Sequence, residues 1–274
     1  MPITTAVLAT FGALVVAFGV VWLVQLRTGN AGMIDPVWAL SLGAVAVFAA
    51  LAGPGAMLNR VAVAFGGGVW GLRLGAHLWR RNRRGPEDPR YAALRTRWGR
   101  HAPARMLGFF MLQAVISLLL SIAFFVPAWQ AHTPSIPAIV IALSIGFAAL
   151  AGEAAADRQL RGHLADPAAR GQVCTRGWWR YSRHPNYFFE SLYWCAYTVW
   201  SIGQPWGWAT LVPPFAMAWL LLKLSGVPLL EARLVQTRAG YRDYMATTHA
   251  FIPWPPRHAH ADDASHRPSR SPRS

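Results

Sequence analysis

A polar stretch, RYSRHPNYFFES at residues 180–191, holds the side chains best suited to chemistry. His184, Tyr187 and Glu190 form a proton-transfer set, because imidazole, phenol and carboxylate groups are common general acids and bases. Tyr187 and Glu190 are three residues apart, which places them on one face of a helix. An interfacial anchor of aromatic and arginine side chains would explain the neighbouring residues, but not a buried glutamate beside a tyrosine and a histidine.

Pro185 predicts that a helix begins within this stretch, near His184. Proline favours the first helical turn, where its missing N–H is not needed. The positive end of the helix dipole, with Arg183 and Asn186 beside it, is then suited to an anion. We therefore expect this turn to face a negatively charged ligand.

The composition identifies the surroundings of this helix as a membrane. Of the 274 residues, 54% are hydrophobic and 14% charged, whereas soluble domains carry about 25% charged residues. No Asp, Glu, Lys or Arg occurs within 1–26, 36–59, 106–152 or 191–222. Each stretch reaches the ~20 residues that cross a bilayer.

We predict an all-α, polytopic transmembrane bundle. The first apolar run lacks a basic leader and is too long for a signal peptide, so we expect a retained helix. Residues 1–256 are predicted to form a single domain, followed by a basic, disordered tail at 257–274. About seven spans are expected, at 3–26, 35–53, 56–79, 106–129, 137–160, 185–203 and 207–230.

Arginine placement predicts the orientation of the bundle. Nine arginines lie within 80–105, six within 158–183 and seven after residue 231. The positive-inside rule makes these segments cytoplasmic, with the N-terminus outside and the C-terminus inside. The formal net charge of +15 is then a topology signal that also attracts anionic lipids, and we expect no nucleic-acid partner.

Ionisable side chains at membrane depth form a second candidate group. Glu153, Asp157 and Arg161 are spaced four apart and share a helix face, as do Arg73 and His77. Such groups cost about 2.5–3.5 kcal/mol each at the centre of a spanning helix, so each needs a partner or a use. A salt-bridge network between helices is one explanation. A polar chamber is the other, and the arginine surplus of the loops favours it, with an anionic, phosphorylated ligand.

The common soluble site motifs are absent. The sequence has no phosphate-binding glycine loop, no HExxH and no GxSxG. Cys174 and Cys195 have no metal-ligand spacing, so neither a disulfide framework nor a metal site is predicted.

Several blocks of the sequence carry a family resemblance. The blocks are RGWWRYSRHPNYFFES, LLLKLSGVPLLEARL, GYRDYMATTHAFIPW, IDPVWAL, WGLRLGAHLWRRN, EDPRYAALRTRWG and GEAAADRQL. With these blocks the chain resembles the bacterial DUF1295 membrane proteins, a branch of the steroid 5-alpha-reductase C-terminal family. This resemblance implies NADPH-dependent reduction of a C=C bond conjugated to a carbonyl in a lipid, in a bacterial inner membrane.

The resemblance also implies residue roles. Asn186 and Asp157 match residues that contact the cofactor, and Tyr244 matches a tyrosine near its far end. Tyr187 resembles a proposed proton donor, and Glu190 matches the acidic residue that closes the motif. Together with the spacing arguments, this places catalysis at Tyr187, Glu190 and His184. The predicted cofactor-binding set is Glu153, Asp157, Arg161, Arg183, Asn186 and Tyr244.

Two features leave alternatives open. Phe189 stands where the family usually has glycine, which would narrow the pocket. Isoprenylcysteine and phospholipid methyltransferases, which use S-adenosylmethionine, share the RHPxY loop but usually carry a Glu-Glu pair where this chain has Leu230–Glu231. A non-catalytic lipid-binding protein is the third alternative. Membrane lipids and a hydrophobic small-molecule substrate are the expected partners, and the sequence leaves the oligomeric state open.

Overall fold

The computed structural model describes residues 1–83, 85–224 and 226–257. The tail predicted at 257–274 lies outside the described residues from residue 258 onward. Within the described ranges there is no β-strand, only an isolated bridge between Gln172 and Ala239. The α-helices are α1 (Ile3–Thr28), α2 (Ile34–Ala52), α3 (Met57–Asn82), α4 (Pro89–Trp98), α5 (Ala102–Leu120), α6 (Ile122–Ala128), α7 (Ile136–Ala165), α8 (Pro185–Trp200), α9 (Val212–Trp219), α10 (Val227–Thr237) and α11 (Tyr241–Thr247).

The helices make this a multi-pass membrane protein. Six helical stretches of the described chain are long and apolar enough to cross a bilayer, by length and composition: Ile3–Thr28, Ile34–Ala52, Met57–Asn82, Pro89–Ala128, Ile136–Ala165 and Gly207–Thr237. The span predicted at 185–203 corresponds to α8, which has only 16 residues. At 1.5 Å per residue α8 extends roughly 24 Å, short of the ~30 Å hydrocarbon core. The orientation of the bundle stays a prediction.

The chain forms two compact units. Unit 1 comprises Met1–Ala149 and Ser191–Trp219, and unit 2 comprises Leu150–Glu190 and the chain from Leu220 onward. The single domain predicted for 1–256 stays a prediction.

Close approach of α2 and α3 organises unit 1. Gly67 and Gly71 of α3 face Ala46 and Gly43 of α2. A Cβ atom at Gly71 would lie 2.6 Å from the Gly43 Cα atom, and one at Gly67 would lie 2.3 Å from the Ala46 Cβ atom. Small residues at this spacing let membrane helices pack backbone to backbone. This contact explains the glycine-rich sequence of α3.

An aromatic cluster fills the interior of unit 1. Trp70 of α3 is fully buried and contacts Trp194 of α8 edge-to-face, with 5.2 Å between ring centroids. Phe124 of α6 contacts both Trp194 and Tyr197 of α8. Aromatic pairs in these geometries contribute about 0.5–1.5 kcal/mol beyond their buried area.

Ion pairs and a hydrogen bond join α4 and the residues before it to the first turn of α2 and the turn that precedes it. Arg90 bonds Asp35 at 2.7 Å, and Arg95 bonds Glu87 at 2.9 Å. Glu87 also accepts a hydrogen bond from the Ala31 backbone N–H, 2.8 Å away. Each carboxylate therefore has an arginine partner inside unit 1. We call this set the loop clamp: Asp35, Glu87, Asp88, Arg90 and Arg95.

In unit 2, the arginine-rich segment between α7 and α8 packs against α7 and the turn before α11. The Trp179 indole N–H donates to the Ala156 carbonyl of α7 at 2.9 Å. The bridge between Gln172 and Ala239 joins the same loop to the turn before α11. Unit 2 therefore contains α10, α11, the end of α7 and the first turns of α8.

Candidate functional site

The start of α8 lies where the sequence predicts it, at Pro185. The Ser182 hydroxyl accepts the His184 backbone N–H at 3.1 Å and itself donates to the Phe251 carbonyl at 2.8 Å. The His184 carbonyl then accepts the N–H groups of Tyr187 and Phe188. Ser182 thus joins the start of α8 to the backbone of Phe251 within unit 2.

Arg183, which precedes the first turn of α8, forms an ion pair with Glu231 of α10. Arg183 Nε lies 2.7 Å from Glu231 Oε1, and Nη2 lies 3.3 Å from Oε2. Both side chains are 11% exposed. This two-bond geometry matches the planar guanidinium to the carboxylate and gives the pair a defined orientation.

His184 binds the same carboxylate. Its Nε2 atom lies 2.9 Å from Glu231 Oε1, and the residue is 1% exposed. The imidazole also stacks on the Tyr187 ring, with centroids 5.4 Å apart and planes within 10°. Glu231 therefore orients the histidine that supports Tyr187. We call Arg183, His184 and Glu231 the buried node.

A closing segment, residues 245–254, covers the start of α8 through backbone atoms. Arg183 Nη1 donates to the carbonyls of Met245 and Thr248 at 3.1 and 2.6 Å. The Arg183 backbone N–H donates to the His249 carbonyl at 2.8 Å, and the Trp254 N–H donates to the Tyr181 carbonyl at 3.0 Å. The Arg183 guanidinium is thereby committed to contacts within the protein.

Two buried tyrosines of α11 differ in their bonding. The Tyr244 hydroxyl donates to the carbonyls of Trp179 and Ser182, and burial, with Tyr241 next, raises its pKa well above the usual value. The Tyr241 hydroxyl lies near Glu231, but it makes no hydrogen bond among the described residues. Burial raises its pKa, and the charge of Glu231 raises it further. Both phenols are therefore neutral at pH 7.

The predicted face of α7 runs from the protein interior to its surface. Glu153 is buried, Asp157 is half-buried and Arg161 is exposed. Four residues of helix advance about 6 Å, so the three side chains span about 12 Å along the axis. The face provides carboxylates inside and a guanidinium at the rim.

Residues of the first turns of α8 remain accessible or semi-accessible. Asn186 and Tyr187 are half-buried, and the Asn186 Oδ1 atom accepts the Tyr187 N–H at 3.1 Å. Glu190 is buried, at 7% exposure. Of the three predicted site residues in these turns, Asn186 and Tyr187 are thus the ones that a ligand can reach from solvent.

Phe189 is accommodated by a glycine of α7. A Cβ atom at Gly152 would lie 2.4 Å from the Phe189 ring. The ring also contacts Trp178 edge-to-face, with centroids 5.0 Å apart. The bulky side chain at position 189 therefore occupies space that Gly152 leaves open.

Five arginines between residues 158 and 180 present a cationic rim. All are exposed, and none forms a salt bridge among the described residues: Arg158, Arg161, Arg170, Arg176 and Arg180. The described part of the chain contains no group of three or more His, Cys, Asp or Glu side chains able to hold a metal ion. The rim is suited to an anionic ligand.

Sequence reasoning missed the centre of this arrangement. It considered Glu231 as half of the acidic pair of the methyltransferases and did not assign it to the site. It placed Arg183 and His184 against a ligand or substrate rather than against Glu231. The structure brings Arg183, His184 and Tyr187 together and holds Tyr244 beneath the same turn. The available signal was that a buried glutamate in an apolar helix needs a cationic partner.

The fold defines a helical, multi-pass membrane protein. The chain belongs to the family described as "Protein of unknown function (DUF1295)", whose model matches residues 21–248. This confirms the resemblance to DUF1295, and the link to the steroid 5-alpha-reductases stays a prediction. The comparisons with curated proteins and with solved structures found no match.

Proposed function

We propose that this DUF1295 protein is an NADPH-dependent reductase of a C=C bond conjugated to a carbonyl in a lipid or steroid-like substrate. The observation that carries the proposal is the cationic rim of five exposed arginines without salt bridges. The phosphate groups of NADPH are the ligand chemistry that guanidinium groups bind best. S-adenosylmethionine, with its cationic sulfonium, does not need such a rim.

The residues at the rim suit this cofactor. Arg161 and Asn186 are accessible and would bind phosphate and amide groups, and half-buried Asp157 would accept a hydrogen bond from a ribose hydroxyl. Arg183 and Tyr244 would act indirectly, because both hold the first turn of α8 in place. Buried Glu153 lies on the inner part of the same α7 face.

The reaction is a two-part reduction. Bound NADPH would supply a hydride to the β carbon of the conjugated system. Tyr187 would donate a hydrogen bond to the substrate carbonyl, and an acid would supply one proton to the α carbon. The C=C bond thereby gains two hydrogens and two electrons, one hydrogen with both electrons as the hydride and the other as the proton, and NADPH becomes NADP. His184, held by Glu231, positions the Tyr187 ring. Glu190 is the buried acid on the same helix face and would resupply the proton.

A methyltransferase using S-adenosylmethionine is the second candidate. Buried Glu153 and Glu190 favour it, since carboxylates attract a sulfonium. Glu231, however, is committed to Arg183 and His184, and position 230 is leucine. The acidic pair that such enzymes usually carry is therefore reduced to one glutamate that already has partners.

A ligand screen separates these functions. We expect NADPH to raise the unfolding temperature of the detergent-purified protein, because a ligand that binds only the folded state stabilises it by about 2.7 kcal/mol at 100 times its Kd. NADP and S-adenosylmethionine are tested in parallel. Stabilisation by S-adenosylmethionine alone would overturn the reductase proposal in favour of the methyltransferase. No stabilisation by any of the three would favour a non-catalytic lipid-binding protein.

Variants of the motif then test the assigned roles. Asn186→Ala is expected to weaken NADPH binding by up to about tenfold, because a hydrogen bond between neutral groups contributes about 0.5–1.5 kcal/mol. Tyr187→Phe should leave NADPH binding intact and slow reduction of an enone lipid by about 100-fold or more. Tyr181→Phe, at an exposed position beside the motif, is the control. Equal rates for all three variants would disprove the placement.

A further inference from the structure

A deep apolar groove lies in unit 1, outside the candidate site. Its volume is about 940 Å³, within the roughly 300–1,000 Å³ of typical ligand pockets. Ile3 and Val7 of α1 form one wall, and Val115 and Leu119 of α5 form another. Nothing assigned to the reductase site lies in it.

The groove is continuous with the lipid-facing surface. Ile3, Val115 and Leu119 line the groove and are also 42%, 51% and 40% exposed. Both helices belong to stretches that can cross a bilayer. The groove therefore opens sideways to hydrocarbon, and an acyl chain is the occupant that its walls match.

One end of the groove is polar and aromatic. Gln130, His132 and Trp206 lie there. Gln130 donates to the Pro205 carbonyl at 2.6 Å. Trp206 is 68% exposed and stays in the left-handed region at φ 60°, a conformation that strains a bulky residue. Strain of this kind persists where the surrounding structure imposes it and is concentrated at binding sites.

This end of the groove carries hydrogen-bonding groups and no carboxylate. The lining residues include Gln130 and His132 but no Asp or Glu. Asn59 donates to the carbonyls of Gln130 and His132 at 3.1 and 3.0 Å and fixes the backbone beside the groove. An apolar groove that ends in a histidine, an amide and a tryptophan, with no acidic side chain, matches a phospholipid with an anionic headgroup.

We propose that this groove is a specific binding site for an anionic phospholipid, with an acyl chain between α1 and α5 and the headgroup at His132 and Trp206. The site is independent of the proposed reductase activity, because it uses none of the residues assigned to that activity. Its failure and the failure of the reductase proposal are therefore distinguishable.

The test is lipid retention by the delipidated, detergent-purified protein, measured by native mass spectrometry. Dioleoyl phosphatidylglycerol, dioleoyl phosphatidylcholine and oleic acid are the probes. We expect one phosphatidylglycerol to bind per chain, with weaker binding of phosphatidylcholine and oleate. Oleate binding as tight as that of phosphatidylglycerol would overturn the phospholipid assignment, and so would the absence of any bound phosphatidylglycerol.

Matched tryptophan substitutions locate the site. Leu119→Trp fills the groove and is expected to weaken phosphatidylglycerol binding about tenfold, or about 1.4 kcal/mol. Leu112→Trp is the control, since Leu112 lies two turns earlier on α5, is 47% exposed and does not line the groove. Val115→Trp, at another lining position, repeats the test. Equal retention by the wild type and both lining variants would overturn the proposal.

Discussion

The loop clamp of unit 1 and the buried node of unit 2 use the same chemistry in different surroundings. In the loop clamp, the Arg90 side chain is 31% exposed and its partner Asp35 is 18% exposed. In the buried node, Arg183 and Glu231 are each 11% exposed, and one carboxylate serves both Arg183 and His184. The arginine of the first cluster is the more exposed of the two, whereas the two carboxylates differ less.

This difference distinguishes a cluster that only joins parts of the chain, the loop clamp, from one that lies at the candidate site, the buried node. Each arginine of the loop clamp meets a carboxylate, so the cluster joins α4 to α2 and retains no charge for a ligand. Exposed arginines without a salt bridge among the described residues occur in both units, for example Arg158, Arg161 and Arg176 in unit 2 and Arg97, Arg100 and Arg105 in unit 1. The arginine surplus is therefore common to both units, and the buried ion pair beside the start of α8 is what distinguishes unit 2.

The largest predicted effect is loss of the carboxylate in the buried node. Glu231→Gln would leave the Arg183 guanidinium buried without a counter-charge, and we expect the free energy of unfolding to fall by about 3 kcal/mol. Asp35→Asn in the loop clamp should cost about 1 kcal/mol or less, because water screens exposed pairs. Reversible denaturation in detergent measures both values. Equal losses would refute the distinction between the two clusters.

A smaller effect is expected at the paired tyrosines of α11. Tyr244→Phe removes the donor to two buried carbonyls and should cost about 2 kcal/mol at pH 7, whereas Tyr241→Phe should cost almost nothing. Thermal denaturation provides the comparison. A larger loss for Tyr241→Phe would mean that its hydroxyl has a structural partner.

The same tyrosines predict an alkaline limit. Burial raises the pKa of Tyr244, so its contribution to stability is complete below the usual tyrosine pKa of about 10. That contribution declines as the pH rises towards the folded-state pKa. A titration of the unfolding temperature above pH 10 should therefore fall less steeply for Tyr244→Phe than for the wild type. Parallel curves would exclude this group as the cause.

Next in size is the packing of Phe189 on α7. Gly152→Ala should cost about 1–2 kcal/mol, because the new methyl group would overlap the Phe189 ring. Gly146→Ala on the same helix is the control, since a Cβ atom there lies 3.8 Å from Ala196, an ordinary contact. Phe189→Leu should restore stability to the Gly152→Ala variant. If it does not, the overlap is relieved elsewhere.

The smallest effect concerns the cationic rim. Arg161→Gln should weaken NADPH binding about threefold, since an exposed charge contributes a fraction of a kcal/mol, and the effect should shrink as salt is added. Arg97→Gln, at an exposed arginine of α4 in unit 1, should leave the affinity unchanged. Isothermal titration at two salt concentrations tests both. A similar loss for Arg97 would point to a general effect of net charge.

The sequence was sufficient to locate six helical stretches that can cross a membrane, but it did not predict α4 or α11. Charge-free stretches identify membrane helices because an unpaired charge in lipid is costly, and Pro185 marks the start of α8 because of its fixed φ and missing N–H. The length of α8 could not be obtained this way. The helix ends at Trp200 and is followed by a turn, although residues 201–203 carry no charge that would predict an end there.

The centre of the site required the tertiary structure. Arg183 and Glu231 are 48 residues apart, and no helical periodicity relates residues at such a separation. The same applies to Phe189 and Gly152. The sequence marks Phe189 as unusual for its family, but only the packing of α7 against the first turns of α8 assigns it a partner.

The closing segment at 245–254 meets Tyr181, Ser182 and Arg183 almost entirely through its own backbone carbonyls and N–H groups. Such contacts depend on the spacing of peptide groups and not on which side chains they carry. The number of residues in the segment therefore matters more than the identity of its side chains. Most substitutions along it should be tolerated, while inserting or deleting a single residue would shift every contact at once and release the start of α8.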